Sequence, residues 1–284
     1  MKRIAILLVG CLALTAMIAT PVLAGKGKVR LAYVEWDCAT ASTNLAKAVL
    51  EEQGYEVELF PVAGAAMWQA VGTGDVDAMV TAWLPVTHAT YFDKVQDKVE
   101  NLGPITGGAR LGWAVPTYVT ISSIEELNAN ADKFDGKIIG IDPGAGLMGL
   151  SEKAIKEYKL DKLELMEGSG ATMTAALSDA IKNKKWVVVT AWSPHWMFGR
   201  WELKYLEDPK GVLGEEEHID TIVRKGLKKD MPEVYAILDR FSYDNPNQLQ
   251  MLMAWNQEKD ADPAANAKRF MKENPDLVKK WLDK

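Results

Sequence analysis

Cysteine and histidine are scarce in this 284-residue chain, which holds two cysteines and three histidines (His88, His195 and His218). Cys11 falls in an N-terminal apolar run, so Cys38 stands alone in the remainder and no disulfide is expected there. The histidines lack the paired spacing of zinc ligands and Cys38 has no neighbouring cysteine, so no metal and no cofactor is expected. Basic charge is not in excess: 33 Lys and Arg stand against 39 Asp and Glu, a formal charge of -6. That balance argues against a nucleic-acid binder held by a general basic surface. No Gly-x-x-x-x-Gly-Lys-Ser/Thr loop and no Gly-x-Ser-x-Gly elbow occurs, which removes a P-loop nucleotide site and the commonest serine-hydrolase turn. After residue 24 no uncharged apolar run is long enough to span a bilayer.

The first 24 residues read as an export signal. Lys2 and Arg3 form a positive start, Ile4 to Ala19 is almost wholly apolar, and Pro21 breaks the helix. Val22 and Ala24 then occupy the -3 and -1 positions of a cleavage site. Cleavage leaves 260 residues and, with two positive charges removed, a formal charge of -8. Leu8-Val9-Gly10-Cys11 loosely resembles a lipoprotein box, but apolar sequence continues past it. The expected location is periplasmic, with a lipid anchor at Cys11 the lesser reading.

Strand and helix patterns then alternate. Strands are expected at Val29–Trp36, Tyr55–Val62 and Val76–Trp83, with helices at Thr43–Gln53 (Ser42 as cap, Gly54 as stop) and Ala65–Val71. The order recurs: strand Lys137–Asp142, helix Leu147–Tyr158, strand Leu163–Glu167, helix Met173–Lys182, strand Trp186–Trp192. Such an order predicts α/β architecture with a mainly parallel sheet. Val80-Thr81-Ala82-Trp83-Leu84-Pro85 matches Val189-Thr190-Ala191-Trp192-Ser193-Pro194 at five of six positions. Trp83 lies 47 residues after Trp36, and Trp192 lies 46 after Gly146. Two similar lobes are therefore expected: residues 25–112 with 214–284, and 113–213, crossing near 111–117 and 203–213. The tail beyond 214 reads as mostly helical and should pack on the first lobe. Two lobes joined by two strands make a hinged clamp, with ligand at the carboxyl ends of the strands.

Trp36, Trp83 and Trp192 stand at those strand ends, and the latter two precede an X-Pro turn. Trp68, Trp186, Trp255 and Trp281 fit core packing instead. Three indoles on one cleft suit a quaternary ammonium, which donates no hydrogen bond but is attracted by the ring quadrupole. Each face contributes roughly 0.5–2 kcal/mol, so three supply about 2–6. Micromolar affinity needs about 8 kcal/mol, so a second recognition element is required. Gly144-Ala145-Gly146-Leu147, at the start of a helix, offers free N–H groups to a small carboxylate, and His88 is placed to donate another bond. His195 and Trp196 read as braces of their loop. Asp75, Asp77 and Glu215-Glu216-Glu217 read as solvated surface acids, and Cys38 as a small buried hydrophobe.

The chain resembles the glycine betaine-type substrate-binding proteins of ABC importers, the OpuAC-like family. The likeness is carried by VEWD (34–37), DAMVTAWLPVTH (77–88), GIDPGAGLM (140–148), TAWSPHWMF (190–198) and KYLEDPKG (204–211), and covers essentially the whole chain after the leader. It implies a type II periplasmic-binding-protein fold, two α/β lobes on a two-strand hinge. It also implies a non-enzymatic receptor in which Trp36, Trp83 and Trp192 cage the ammonium. Gly146 and Leu147 N–H groups, with His88, would take the carboxylate. The implied partners are a betaine ligand, a membrane permease and its ATPase subunit, and the implied role is osmoprotectant uptake. Cys38 sits in a stretch not typical of the family, where it bears on ligand preference. Two alternatives stay open: a receptor of the same fold for choline, carnitine, proline betaine or a sulfonium analogue, and a secreted enzyme acting on trimethylammonium compounds through His88 or Cys38.

Overall fold

The computed structural model describes residues 25–283; the expected leader and Cys11 lie outside the described residues. The chain runs β1 (Lys28–Tyr33), α1 (Asp37–Glu52), β2 (Glu56–Pro61), α2 (Gly64–Thr73), β3 (Ala78–Leu84), α3 (Ala89–Phe92) and β4 (Val99–Pro116). It continues through β5 (Lys137–Ile139), α4 (Gly146–Glu157), β6 (Glu164–Met166), α5 (Gly170–Lys182), β7 (Val189–Ser193), α6 (Met197–Arg200) and β8 (Leu203–Tyr205). It ends with β9 (Glu217–Arg224), α7 (Leu227–Asp230), α8 (Pro232–Arg240), α9 (Pro246–Trp255), α10 (Pro263–Glu273) and α11 (Pro275–Leu282).

Strand order is β2-β1-β3-β9-β4-β7-β5-β6, with β8 paired to β4. β1 lies parallel to β2 and β3, and β5 parallel to β6 and β7. Between these trios stand β9 and β4, both antiparallel to their neighbours. The sheet is therefore mixed at its centre, not mainly parallel throughout. β4 is the long element: residues 99–109 pair with β9, and 110–116 pair with β7 and β8. One strand thus ties the two halves of the sheet together.

β1 contributes Val29 and Leu31, fully buried, to the first core. α1 begins at Asp37, six residues earlier than its sequence cap signal indicates. Trp36 is the extended residue before it, and Asp37 places a negative charge at the positive helix end. Ser42 does not cap; it lies inside the helix, and its hydroxyl meets the Tyr243 hydroxyl at 3.1 Å. Alanine, serine and threonine on most faces of α1 let it sit close to β3, α9 and α10. Each of α8 to α11 opens with proline at its first turn, where no N–H is required, and the group packs on α1, β4 and β9.

Two buried clusters divide the interior. One, including Leu31, Trp68 and Ile219, fills the first half and continues across the cleft to Ile141, Leu147 and Trp192. The other, including Trp113, Phe134, Val188 and Leu213, lies on the far side of the second half. Asp77 is buried, contrary to its surface reading, between Arg30 (Nε to Oδ2, 3.3 Å) and Arg224 (Nε to Oδ1, 2.8 Å). Burial alone would raise its pKa; the hydrogen bonds from Arg224 and Arg30 outweigh this and hold the carboxyl below its usual range.

Candidate functional site

The end of β3, the start of α1, the end of β7 and the start of α4 meet around one small cavity. Its lining includes Trp36, Trp83 and Trp192, together with Thr87, His88, Ala145, Gly146 and Leu147. All six residues expected from sequence are therefore brought together. Cys38, Leu111 and Ile141 complete the wall. Trp36, Trp83 and Trp192 are 7% exposed or less, and His88 is 1% exposed. They are shielded because the halves of the molecule meet, not because they fill separate cores.

Hydrogen bonds hold these halves against each other beside the cavity. Trp36 Nε1 donates to Asp142 Oδ2 at 3.2 Å, and the Tyr91 hydroxyl donates to the Gly144 carbonyl at 2.9 Å. At Gly146 a side chain would collide with the Thr87 carbonyl oxygen, so only glycine permits this approach. Ala145 is extended and α4 begins at Gly146, which leaves the first N–H groups of the helix outside its own ladder at the cavity wall. The positive end of the helix dipole points the same way, and an anion there is favoured.

His88 is fixed by a closed local ring of bonds. Its backbone N–H donates to the Trp83 carbonyl at 2.9 Å, and the Trp83 N–H donates to His88 Nδ1 at 3.0 Å. Nδ1 is therefore the acceptor, and Nε2 carries the proton of the neutral ring. Burial pushes the His88 pKa down to about 3, so the imidazole is neutral at physiological pH. Trp36 and Tyr91 lie tilted beside the ring at 5.8 and 5.9 Å, and Trp68 meets it edge-on at 5.8 Å. Trp68 is thus a core residue, as its sequence context indicates, that also packs edge-on against His88.

His195 sits under Trp192, edge to face at 4.4 Å, and its Nδ1 accepts from the Met197 N–H at 3.1 Å. Its Nε2 lies 3.2 Å from Asp37 Oδ2, close but poorly aligned for a hydrogen bond. The brace reading of His195 fits this geometry. Asp37 Oδ1 also accepts from Gln257 Nε2 at 2.8 Å. Cys38 is buried, and burial first, then the neighbouring Asp37 charge, pushes its thiol up to about 12.

Glu217 corrects a sequence expectation. It is 3% exposed, not a solvated acid, and Oε1 accepts the N–H groups of Val86 (2.7 Å) and Thr87 (2.8 Å). The Thr87 hydroxyl donates to its other oxygen. Nothing in the run Glu215-Glu216-Glu217 marks the third acid as different. Asp142, Tyr91 and Thr87 likewise carry no sequence signal of their own, although Thr87 and Asp142 lie inside the motif segments.

Residues 144–149 read Gly-Ala-Gly-Leu-Met-Gly, after a strand and opening a helix, which is also the spacing of a dinucleotide turn. The cavity answers that alternative. Thr87 closes directly over Gly146, its carbonyl oxygen standing where a pyrophosphate would have to approach the turn.

A family described as the substrate binding domain of ABC-type glycine betaine transport systems, OpuAC, matches residues 27–273. The chain belongs to this family. It is 47% identical over 148 residues to the glycine betaine/carnitine transport binding protein GbuC of Listeria monocytogenes, covering 51% of this chain and 49% of that protein. The match thus spans about half the length of that relative. Among solved structures, lactococcal OpuAC in its closed-liganded conformation with glycine betaine shares 43% identity, with a TM-score of 0.84 over 90% of this chain and 100% of that one. The glycine betaine, L-proline-binding protein ProX of Borrelia burgdorferi shares 38% identity, with a TM-score of 0.86 over 89% and 96%. The fold is that of the type II periplasmic binding proteins. Among the described residues no helix is long and apolar enough to cross a membrane, and no cluster of potential metal ligands occurs.

Proposed function

We propose that this protein is an extracytoplasmic receptor that binds glycine betaine, or a closely related quaternary-ammonium zwitterion, and delivers it to an ABC permease and its ATPase. The observation that carries the reading is the single small cavity lined both by three indoles and by free helix-start N–H groups. The trimethylammonium group enters the cage of Trp36, Trp83 and Trp192. The carboxylate meets the N–H groups of Gly146 and Leu147 and the Nε2–H of His88. Each charged end of the ligand is thus read by residues of both halves, Trp36 and Trp83 with Trp192 at one end and His88 with Gly146 and Leu147 at the other, which couples binding to closure.

In this reading residues 25–112 with 214–284 form one lobe and 113–213 the other, with crossings near 111–117 and 203–213. Support comes from the packing, with Trp113 and Leu213 in the second core and Leu111 and Ile219 in the first. Export through a cleaved leader and periplasmic residence belong to the same proposal.

The enzyme alternative loses its chemical groups. A thiol held near 12 is not a thiolate at neutral pH. An imidazole held near 3 is a poor general base there, where an effective one titrates near the working pH. The test is calorimetry with glycine betaine, choline, carnitine, proline betaine and a sulfonium analogue. Tight saturable binding of a carboxylate-bearing onium is expected. Tighter binding of choline, which has no carboxylate, would remove the anion half of the proposal; no heat with any of them would remove the whole.

A further inference from the structure

We infer that Glu217 is a positioning residue of the ligand site: from the strand after the chain's return crossing, it grips the loop that carries His88 and the surface against which Gly146 closes. The inference rests on the proposed reading of the cavity.

Glu217 is the first residue of β9, the strand paired to both β3 and the long β4. It stands directly after the return segment from the second half. Its three acceptor contacts fall on two consecutive residues, Val86 and Thr87, within the turn between Trp83 and His88. No helix or strand ladder supplies partners for those two N–H groups, so the buried acid fixes the turn in one conformation. The Trp83 carbonyl and N–H close the same turn from inside, through His88. Release of the outer grip therefore shifts the direction of the His88 Nε2–H.

Thr87 links this grip to the other half. Its carbonyl oxygen is the atom that bars a side chain at Gly146, so the seat of the carboxylate-binding turn is set by the residue Glu217 holds. Gly214, with φ of 91°, lies at the edge of Val86, so the return crossing also meets the turn three residues before Glu217. The chain of contacts runs from crossing to Glu217, to Thr87, to Gly146. Glu217 touches no ligand position and does not line the cavity.

The test is glycine betaine affinity by calorimetry in the full exported chain, as a double-mutant cycle of Glu217→Ala with His88→Ala. Glu217→Ala is expected to weaken binding about tenfold or more in the parent and by a clearly smaller factor once His88 is gone, the remainder passing through Thr87 and Gly146. Glu217→Gln keeps an oxygen that accepts both N–H groups and restores affinity to within about threefold of the parent. Parent affinity in Glu217→Ala, or equal losses in both backgrounds, overturns the inference. Where Glu217→Ala does not fold, Thr87→Val decides: it removes the hydroxyl bond to Glu217 at a residue of the cavity wall and should weaken betaine by about threefold in the parent and by less in the His88→Ala background. An unchanged affinity there overturns the inference as well. A parent protein that binds no onium ligand at all refutes the site's proposed function, an outcome distinguishable from the others.

Discussion

Two turns of this molecule share almost the same sequence and do different work. Trp83-Leu84-Pro85 and Trp192-Ser193-Pro194 each end a strand, each bond before proline is cis, and each tryptophan lines the cavity. A histidine follows each, five residues on in the first and three in the second. Five residues make a loop long enough to fold back, so Nδ1 of His88 takes the Trp83 N–H and the ring lines the cavity. Three residues do not reach, and His195 instead lies under Trp192 and takes the Met197 N–H. A repeat supplied the shared wall of the cavity; loop length decided which histidine lines it and which only props an indole.

The cage gives the largest test of this comparison. Trp83→Ala and Trp192→Ala are each expected to weaken glycine betaine binding about tenfold or more, with the unfolding transition retained. Equal losses would mark the two turns as equivalent in their tryptophans. Calorimetry that returned parent affinity for both variants would remove the cage.

The histidines are expected to separate the turns. His88→Ala removes a donor to a charged carboxylate and should cost about tenfold in betaine affinity. His195→Ala leaves every ligand contact and should cost about threefold or less, through a looser Trp192. Similar losses from the two would mean that the loop-length argument is wrong.

Acidity sharpens the same contrast. Burial holds His88 at about 3, below its ordinary 6.5. The unfolded chain therefore takes up a proton near pH 6.5 that the folded chain refuses. Stability falls as pH drops from about 6.5 towards 3, by up to about 1.4 kcal/mol per pH unit from this group. Denaturant melts across that window should show a shallower slope in His88→Gln; an unchanged slope would contradict the buried neutral ring. The smallest effect belongs to Cys38, whose thiol near 12 should resist alkylation at pH 8 in the folded chain, against rapid modification after denaturation.

Much of the fold was legible because strand and helix periods repeat in order and the apolar material at each period is clear. β1, β2, β3 and β5 to β7, with α2, α4 and α5, all lie within a few residues of where the pattern puts them. α1 was misread at its start, since a serine beside an apolar run looks like a cap until Tyr243, 201 residues away, claims its hydroxyl. The antiparallel pair β4 and β9 was not legible as such, because pairing direction depends on where distant segments return. The acids show the same limit. Asp77 and Glu217 look like any exposed carboxylate in the sequence, and only their partners, Arg224 at one and the Thr87 turn at the other, make burial tolerable.

The sequence by itself determined the alternation of elements, the duplicated Trp-x-Pro turn, the glycine that allows close approach and the supply of indoles. These are local properties, written in spacing and residue type. Tertiary structure alone decided that the indoles, the helix start and one of three histidines share a single small cavity, and that one acid of a run of three is buried to hold its rim. Those outcomes depend on groups far apart in the chain meeting where water is excluded, and there the partners of a side chain, not its identity, fix its charge, its tautomer and its use.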